Sequence, residues 1–309
     1  MPNNHSLDLA PIVLFVFVRA DHAKKTLEAL AGNDLAAESD LIVYSDGARN
    51  DKEETAVNEV RALVKSARGF RSVLIVERQT NYGLARNIIE GVTDVCNRYG
   101  RVIVLEDDLV TSPTFLSFMN AALDRHKADK QVWHISGWNY PVDPAGLGDA
   151  FFLRVMNCWG WATWGDRWKH FEKNTDKLIA EFDRKMIRKF DLEDSGVFWS
   201  QILLNQQGRI NTWAIYWYAT IFKNGGLCLN PAISYVDNIG HDGSGTHGSK
   251  AAQVYSTGLN KNSYPHFSGH IIENSVAIQQ IIQFYENIKP TLAQRIRSKI
   301  FSILRRMGL

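Results

Sequence analysis

Val102-Ile103-Val104-Leu105 runs straight into Glu106-Asp107-Asp108-Leu109, and this junction constrains the chain more than any other stretch. Four consecutive apolar residues, most of them β-branched, predict a buried strand of a parallel sheet. Three adjacent carboxylates repel one another and resist burial unless a cation compensates them. In an open α/β sheet, ligands bind at the carboxyl ends of the strands. Hard oxygen donors gathered there suit Mg²⁺ or Mn²⁺, which would in turn hold a diphosphate. The plain alternative is an acidic turn leading into the helix that Thr111-Ser112-Pro113 announces, and the junction alone leaves both readings open.

The residues before it supply a frame. Ile12 to Val18 is an apolar run ending in Arg19, Leu41 to Tyr44 a second ending in Ser45-Asp46, and Ser72 to Val76 a third ending in Glu77-Arg78. Helical patterns follow each: Ala23 to Ala31, then Asp51 to Ser66 with Val57, Val60, Leu63 and Val64 at helical spacing, then Tyr82 to about Tyr99. Strand and helix in alternation predict an α/β fold with a doubly wound, mostly parallel sheet, whose strand ends Arg19, Asp46, Arg78 and Asp108 share one edge. Arg86, in the opening turn of the third helix, joins the basic side of that edge. No G-x-G-x-x-G and no Walker pattern is present, which argues against a dinucleotide fold and against a P-loop NTPase.

Bulk properties exclude little. A chain of 309 residues with 45% hydrophobic and 22% charged content suits a globular protein of one large domain or two small ones. A net charge of +2 gives no support to nucleic-acid binding. Cys96, Cys158 and Cys228 lie far apart, as free thiols of a reducing compartment do. No run approaches the roughly 18 apolar residues of a spanning helix, and no leader pattern opens the chain, so a cytoplasmic location is expected.

Downstream of Asp108, helices are expected at Phe115 to His126, Lys169 to Lys189, Phe198 to Leu204, Thr212 to Phe222 and Asn274 to Ile288. Strands are expected at Val132 to Gly137, Phe151 to Val155 and Leu227 to Leu229. Cys158 to Trp168 weaves tryptophan with glycine in no clean period, which suggests an aromatic wall beside a pocket, with Gly160 and Gly165 allowing close backbone approach. Asn238 to Gly248 gathers glycines with His241, Asp242 and His247, the composition of a loop that orders around phosphate or completes a metal shell. From 291 to 309, Ile296, Ile300, Phe301 and Leu304 face Arg295, Arg297, Lys299, Arg305 and Arg306 with no acidic residue. That is a basic amphipathic helix suited to an anionic membrane surface or to packing back on the domain.

With these residues in view, the sequence resembles the GT-A nucleotide-sugar glycosyltransferases, and more narrowly bacterial relatives of the N-acetylglucosaminyltransferase I family, with some similarity to family 2 glycosyltransferases. The resemblance rests on Val16-Phe17-Val18-Arg19, Ser45-Asp46, Leu105 to Leu109 with its DXD-like acidic motif, Gly160-Trp161, and Asn230-Pro231-Ala232-Ile233-Ser234 leading to the glycine-rich loop. It implies a single GT-A domain over residues 1–290: a Rossmann-like, mostly parallel sheet flanked by helices. Its nucleotide-binding half would span 10–110 and its acceptor half 111–290, with the basic helix beyond.

The resemblance further implies that Asp108 binds Mn²⁺ or Mg²⁺ on the donor diphosphate. Glu106 and Asp107 would lie against ribose and donor sugar, Arg19 and Asp46 would line a UDP-sugar, and Arg86 and His247 would complete the donor site. It implies an inverting transfer in which one carboxylate deprotonates the acceptor hydroxyl. The family carries a Trp-Asp-Asp-Trp stretch where this chain has Trp213-Ala214-Ile215-Tyr216, so the base is sought at Asp194, in a Glu-Asp pair at a helix start, or at Asp242 in the loop. The acceptor is expected to be a glycan or lipid-linked glycan of a bacterial surface polysaccharide such as lipopolysaccharide, at the inner face of the plasma membrane. Two alternatives stand beside this: a sugar nucleotidyltransferase, and a non-catalytic carbohydrate-binding protein on the same fold.

Overall fold

The computed structural model describes residues 8–242 and 254–288. The expected alternation appears as β1 (Ile12–Val16), α1 (Ala20–Ala31), β2 (Asp40–Ser45), α2 (Asp51–Lys65), β3 (Ser72–Glu77), α3 (Gly83–Tyr99) and β4 (Arg101–Glu106). All four strands are parallel. Leu14 lies between Val43 and Leu105, and Phe15 lies between Tyr44 and Glu106. The helix ends follow local chemistry. Asn50 accepts the Lys52 backbone N–H at the start of α2, where Asp51, Glu53 and Glu54 meet the positive end of the helix dipole. Gly100 closes α3 in the left-handed conformation, φ 75°.

The second half adds β5 (Leu109–Thr111), α4 (Phe115–His126), β6 (Val132–Ser136), β7 (Ala150–Leu153), β8 (Trp161–Trp164), α5 (Gly165–Trp168), α6 (Thr175–Glu181), α7 (Arg184–Phe190), α8 (Trp199–Gln206), α9 (Ala214–Lys223), β9 (Leu227–Pro231), β10 (Val236–Asn238) and α10 (Ser275–Ile288). The main sheet has eight strands in the order β3-β2-β1-β4-β8-β6-β9-β7. β8 runs antiparallel to both its neighbours, β7 runs antiparallel to β9, and the other strands share one direction. The sheet is therefore mostly parallel but mixed. β5 and β10 form a separate antiparallel ribbon.

The tryptophan weave has a different role from the one its composition suggested. Trp161 to Trp164 is β8, wedged into mid-sheet between β4 and β6, and Trp161, Trp164 and Trp168 are buried. Trp161 stacks on Trp213 (5.1 Å) and on His134 (5.3 Å). Gly165 serves backbone contact rather than a ligand: its N–H donates to the Gly100 carbonyl at 2.7 Å, and a Cβ there would fall 2.9 Å from the Cys96 carbonyl oxygen. Of the weave, Cys158, Trp159 and Gly165 are partly open and Asp166 is exposed, while every other tryptophan in it is buried. Lys169 to Lys189 is two helices, α6 and α7, with the break at Phe182-Asp183, where Asp183 caps α7 through the Met186 N–H.

The core is continuous from Ala10 to Tyr285. α9 is buried around most of its circumference, from Ile215 to Ile221, as its nearly uniform apolar sequence requires. His134 sits fully buried against it. Its Nε2–H donates to the Asn157 carbonyl at 2.9 Å, and its Nδ1 accepts the Trp217 indole N–H at 3.2 Å. Both ring nitrogens are occupied by the neutral form, and burial pushes the pKa down to about 3.

That fixes a sign for acid sensitivity. Above about pH 6.5 neither folded nor unfolded chain protonates this imidazole, so it contributes nothing. Between there and about pH 3 only the unfolded chain takes the proton, and stability falls as pH falls by about 1.4 kcal/mol per pH unit. In urea unfolding at a series of pH values, His134→Gln should flatten the slope by that amount between about pH 6 and pH 4. Equal slopes in both proteins would show that the imidazole titrates while folded.

Candidate functional site

The acidic junction lies at the carboxyl end of β4, beside the end of β1. Arg19, between β1 and α1, turns its guanidinium onto it: one Nη donates to Asp107 Oδ1 and to Asp108 Oδ2, the latter at 2.8 Å. Asp107 is buried, and its carbonyl accepts the Thr26 hydroxyl of α1 at 2.8 Å. Burial lowers the Arg19 pKa, but the facing Asp107 and Asp108 more than reverse that and raise it. Desolvation pushes Asp107 up to about 6 against the pull of Arg19. Glu106 is pushed up to about 8, by desolvation first and then by Asp108 and Asp107. Three carboxylates thus share one guanidinium, and the strand end holds surplus negative charge in a poorly solvated place.

The ribbon brings a second segment onto this charge. Asn238 pairs with Leu109, and the Ile239 N–H donates to the Asp108 carbonyl at 2.9 Å. Gly240 then packs on the carboxylate itself. A Cβ there would lie 2.2 Å from Asp108 Oδ2 and 3.1 Å from an Arg19 Nη, so only glycine fits. His22, in the first turn of α1, reaches Asp242 with Nε2 to Oδ2 at 3.2 Å. His241 turns elsewhere, into rings of Trp159 (5.2 Å) and Tyr255 (6.2 Å). The structure therefore brings Arg19, Asp107, Asp108 and the segment to Asp242 together. His247 and the rest of the loop through Gly248 lie outside the described residues, as does the basic helix of 291–309.

Asp46 is on the expected edge but is occupied by the chain. Its Oδ1 accepts the backbone N–H of Gly47 (2.9 Å) and Tyr82 (2.8 Å), and its Oδ2 that of Gly83 (2.9 Å) and the Asn81 amide (3.2 Å). It ties the end of β2 to the start of α3. Gly47 permits this, since a Cβ there would meet the Thr80 carbonyl carbon at 2.5 Å. Arg86 lies over the Tyr82 ring at 3.9 Å and pairs with Glu90 at 2.7 Å, while Arg78 lies 4.5 Å from the same ring. No ion pair or hydrogen bond joins either arginine to Asp107 or Asp108 among the described residues.

Asp194 is not at a helix start. Leu192, Glu193 and Asp194 are three successive left-handed residues (φ 48°, 57° and 66°), and Asp194 is exposed beside Arg188. The capping role belongs to Asp191, whose Oδ1 accepts the N–H of Phe198 (2.8 Å) and Trp199 (2.9 Å) and whose Oδ2 accepts that of Gly196 (2.8 Å). No described hydrogen bond or ion pair links Asp194 to the acidic junction. At the head of α9, Ile215 and Tyr216 are buried, and the Tyr216 hydroxyl meets Thr175 Oγ1 at 2.5 Å.

Among the described residues no group of three or more His, Cys, Asp or Glu could hold a metal by itself. A hard divalent ion bound through one carboxylate and completed by phosphate oxygens and water needs no such cage. The partly open carboxylate of Asp108, in a patch of surplus negative charge, fits that mode. Sequence reasoning missed His22, Asp237 and the role of Gly240. Their contacts depend on β10 lying beside β5, and no periodicity announces the pairing of two three-residue strands.

Residues 1–144 match the GNT-I family. That stretch carries β1 through β6, with Arg19, Asp46 and the acidic junction; the downstream correspondences at Gly160-Trp161 and Asn230 to Ser234 lie beyond it. An alpha-1,3-mannosyl-glycoprotein 2-beta-N-acetylglucosaminyltransferase of Arabidopsis thaliana is 23% identical over 177 residues, 52% of this chain and 39% of that protein. The match therefore spans well under half of that relative's length. Two solved structures overlap the fold more loosely. The mannosyltransferase PcManGT from Pyrobaculum calidifontis, in complex with GDP-Man and Mn²⁺, shares 11% identity over 71% of this chain and 72% of its own, at a TM-score of 0.36. TarS from S. aureus shares 10% over 73% of this chain and 36% of its own, at 0.42.

The Arg19 bridge makes a stability prediction. Arg19→Met should cost about 3 kcal/mol by leaving Asp107 buried without its cation, and the double variant Arg19→Met with Asp107→Asn should recover much of that loss. Denaturant titration of the three proteins checks it, and strictly additive losses would contradict the bridge.

Proposed function

We propose that this protein is a glycosyltransferase that takes a sugar from a nucleotide-sugar donor bound at the Arg19–Asp107–Asp108 cluster. The observation that carries the reading is the placement of surplus carboxylate charge, a bridging arginine and a close-packed glycine at the carboxyl end of a parallel sheet, inside the stretch that matches the GNT-I family. Arg19 orients the two aspartates. Asp108, with its second carboxylate oxygen free of hydrogen bonds from the described residues, is the residue that would hold Mn²⁺ or Mg²⁺. The bound ion would draw charge from the departing nucleoside diphosphate. The tied turn Asn81 to Gly83, shaped by Asp46, lines the nucleotide side, and Asp46 acts there by positioning backbone rather than as a lone carboxylate.

The donor is proposed to be UDP-linked, by the resemblance carried at these strand ends. An inverting mechanism needs a base near the acceptor oxygen. Asp242, at the edge of the cluster and tied to His22, supports that role better than Asp194, which lies in an exposed turn. The acceptor is proposed to be a glycan or lipid-linked glycan of a surface polysaccharide. Among the described residues no helix is long and apolar enough to cross a membrane.

Calorimetric titration with UDP, with and without Mn²⁺, tests this directly. Binding should require the metal, and Asp108→Ala should weaken it by at least about a hundredfold, the scale of one lost charged contact of about 2.7 kcal/mol. If UDP, GDP and CDP all fail to bind with Mn²⁺ present, the strand end is only an acidic turn and the transferase reading falls.

A further inference from the structure

Beyond the acidic cluster, on the side away from the Asp46 turn, His241 follows Gly240 directly and enters a group of aromatic rings. Trp159 meets His241 at 5.2 Å and Tyr255 at 6.0 Å with the rings edge to face, and His241 lies nearly parallel to Tyr255. Behind them Trp138 is buried: it packs on Trp159 at 4.6 Å and donates its indole N–H to the Tyr255 carbonyl at 3.3 Å, which holds both rings in place. Trp159, Tyr255 and His241 are each partly open, unlike the tryptophans of β8.

Polar atoms at this wall lack the partners a core would give them. Among the described residues, His241 Nε2 is buried and has no hydrogen-bond partner. Asp237, half-buried on β10, accepts the backbone N–H of its neighbour Asn238 and a long bond from Ser256 Oγ, at 3.4 Å, which leaves its carboxylate with lone pairs to spare. Burial raises its pKa, with His241 close enough to pull the other way. The wall also adjoins the donor cluster. Cys158, next to Trp159, feels the charges of both Glu106 and Asp108, and Gly240, next to His241, packs on Asp108.

We propose that Trp159, Tyr255 and His241, with Asp237 at their edge, form a binding site for a single pyranose ring of the acceptor, stacked by its C–H face on the aromatic rings with its hydroxyls read by His241 Nε2 and the Asp237 carboxylate. A sugar matches both halves of this chemistry. Its C–H face suits half-open aromatic rings, and its rim of hydroxyls both donates to a carboxylate and pairs with an imidazole nitrogen. An apolar ligand would leave those polar atoms unpaired, and an anion would meet Asp237. The assignment to the acceptor rests on the transferase reading; the sugar site itself does not.

Saturation-transfer NMR on the full chain, with methyl β-D-glucoside, methyl β-D-galactoside, methyl α-D-mannoside and the methyl glycoside of N-acetylglucosamine as probes, tests the site. UDP calorimetry is run in parallel. At least one glycoside should receive saturation. Trp159→Ala and Tyr255→Ala should each weaken it about tenfold, Tyr255→Phe should restore it, and UDP binding should persist in all three variants. Saturation with no binding of UDP, GDP or CDP in the wild type would support the sugar site while removing the transferase reading. UDP binding with no saturation of any glycoside, or saturation unchanged in both alanine variants, would overturn the sugar site and leave the donor site standing.

Discussion

Three carboxylates at the end of one buried strand set the terms for everything around them. β4 lies between β1 and β8, so its end cannot relax outward into water along the sheet. The repulsion is met locally by one guanidinium, delivered from the end of the neighbouring strand, and by the backbone N–H of Phe17 on Asp107. The close approach of Gly240 follows from the same need. With Arg19 drawn down onto Asp107 and Asp108, a segment can seal the cluster only if it brings no side chain. The small β5–β10 ribbon exists where it must hold that segment, one residue beyond Asp108 in sequence and directly across from it in space.

Much of the first half is legible because each of its elements states its own period. Val57, Val60 and Val64 are the buried face of α2, and the four apolar runs are the four parallel strands in their expected direction. The strand-end residues lie along one edge as strand order dictates. What those residues do with their atoms is another matter. Asp46 reads in sequence as a site carboxylate, yet four hydrogen bonds commit it to the turn before α3, and only the path of residues 80–83 decides this. The tryptophans mislead in the opposite sense. Trp161 and Trp164 alternate with small residues and look like a ligand surface, but burying a reversed strand in mid-sheet asks for large flat side chains on both faces. The composition around Asp194 points to a helix start, whereas the left-handed turn from Leu192 to Asp194 hands that task to Asp191.

The proposed site also extends beyond the stretch that matches the GNT-I family. Arg19 and the acidic strand end fall within residues 1–144, while Gly240, His241 and Asp237 fall well after them. The proposed donor side thus lies in the stretch that matches the GNT-I family, and the proposed acceptor side draws on residues after it. Such a division is physically reasonable. A diphosphate presents the same charges in every donor, whereas acceptors differ in shape and so draw on the part of the fold that is free to vary.

The reversed strand β8 has a consequence for biosynthesis. β4 can pair with β1 once residue 106 has cleared the ribosome, but its other edge waits for Trp161 to Trp164, more than fifty residues later. Until then a nascent chain holds an apolar strand with one side unpaired and a cluster of like charges at its tip. Like charges at a strand tip, costly in the finished protein, oppose the pairing of such an open edge with the same edge of another chain. The acidic junction would in this way protect the chain during its own synthesis, before there is any ligand for it to hold.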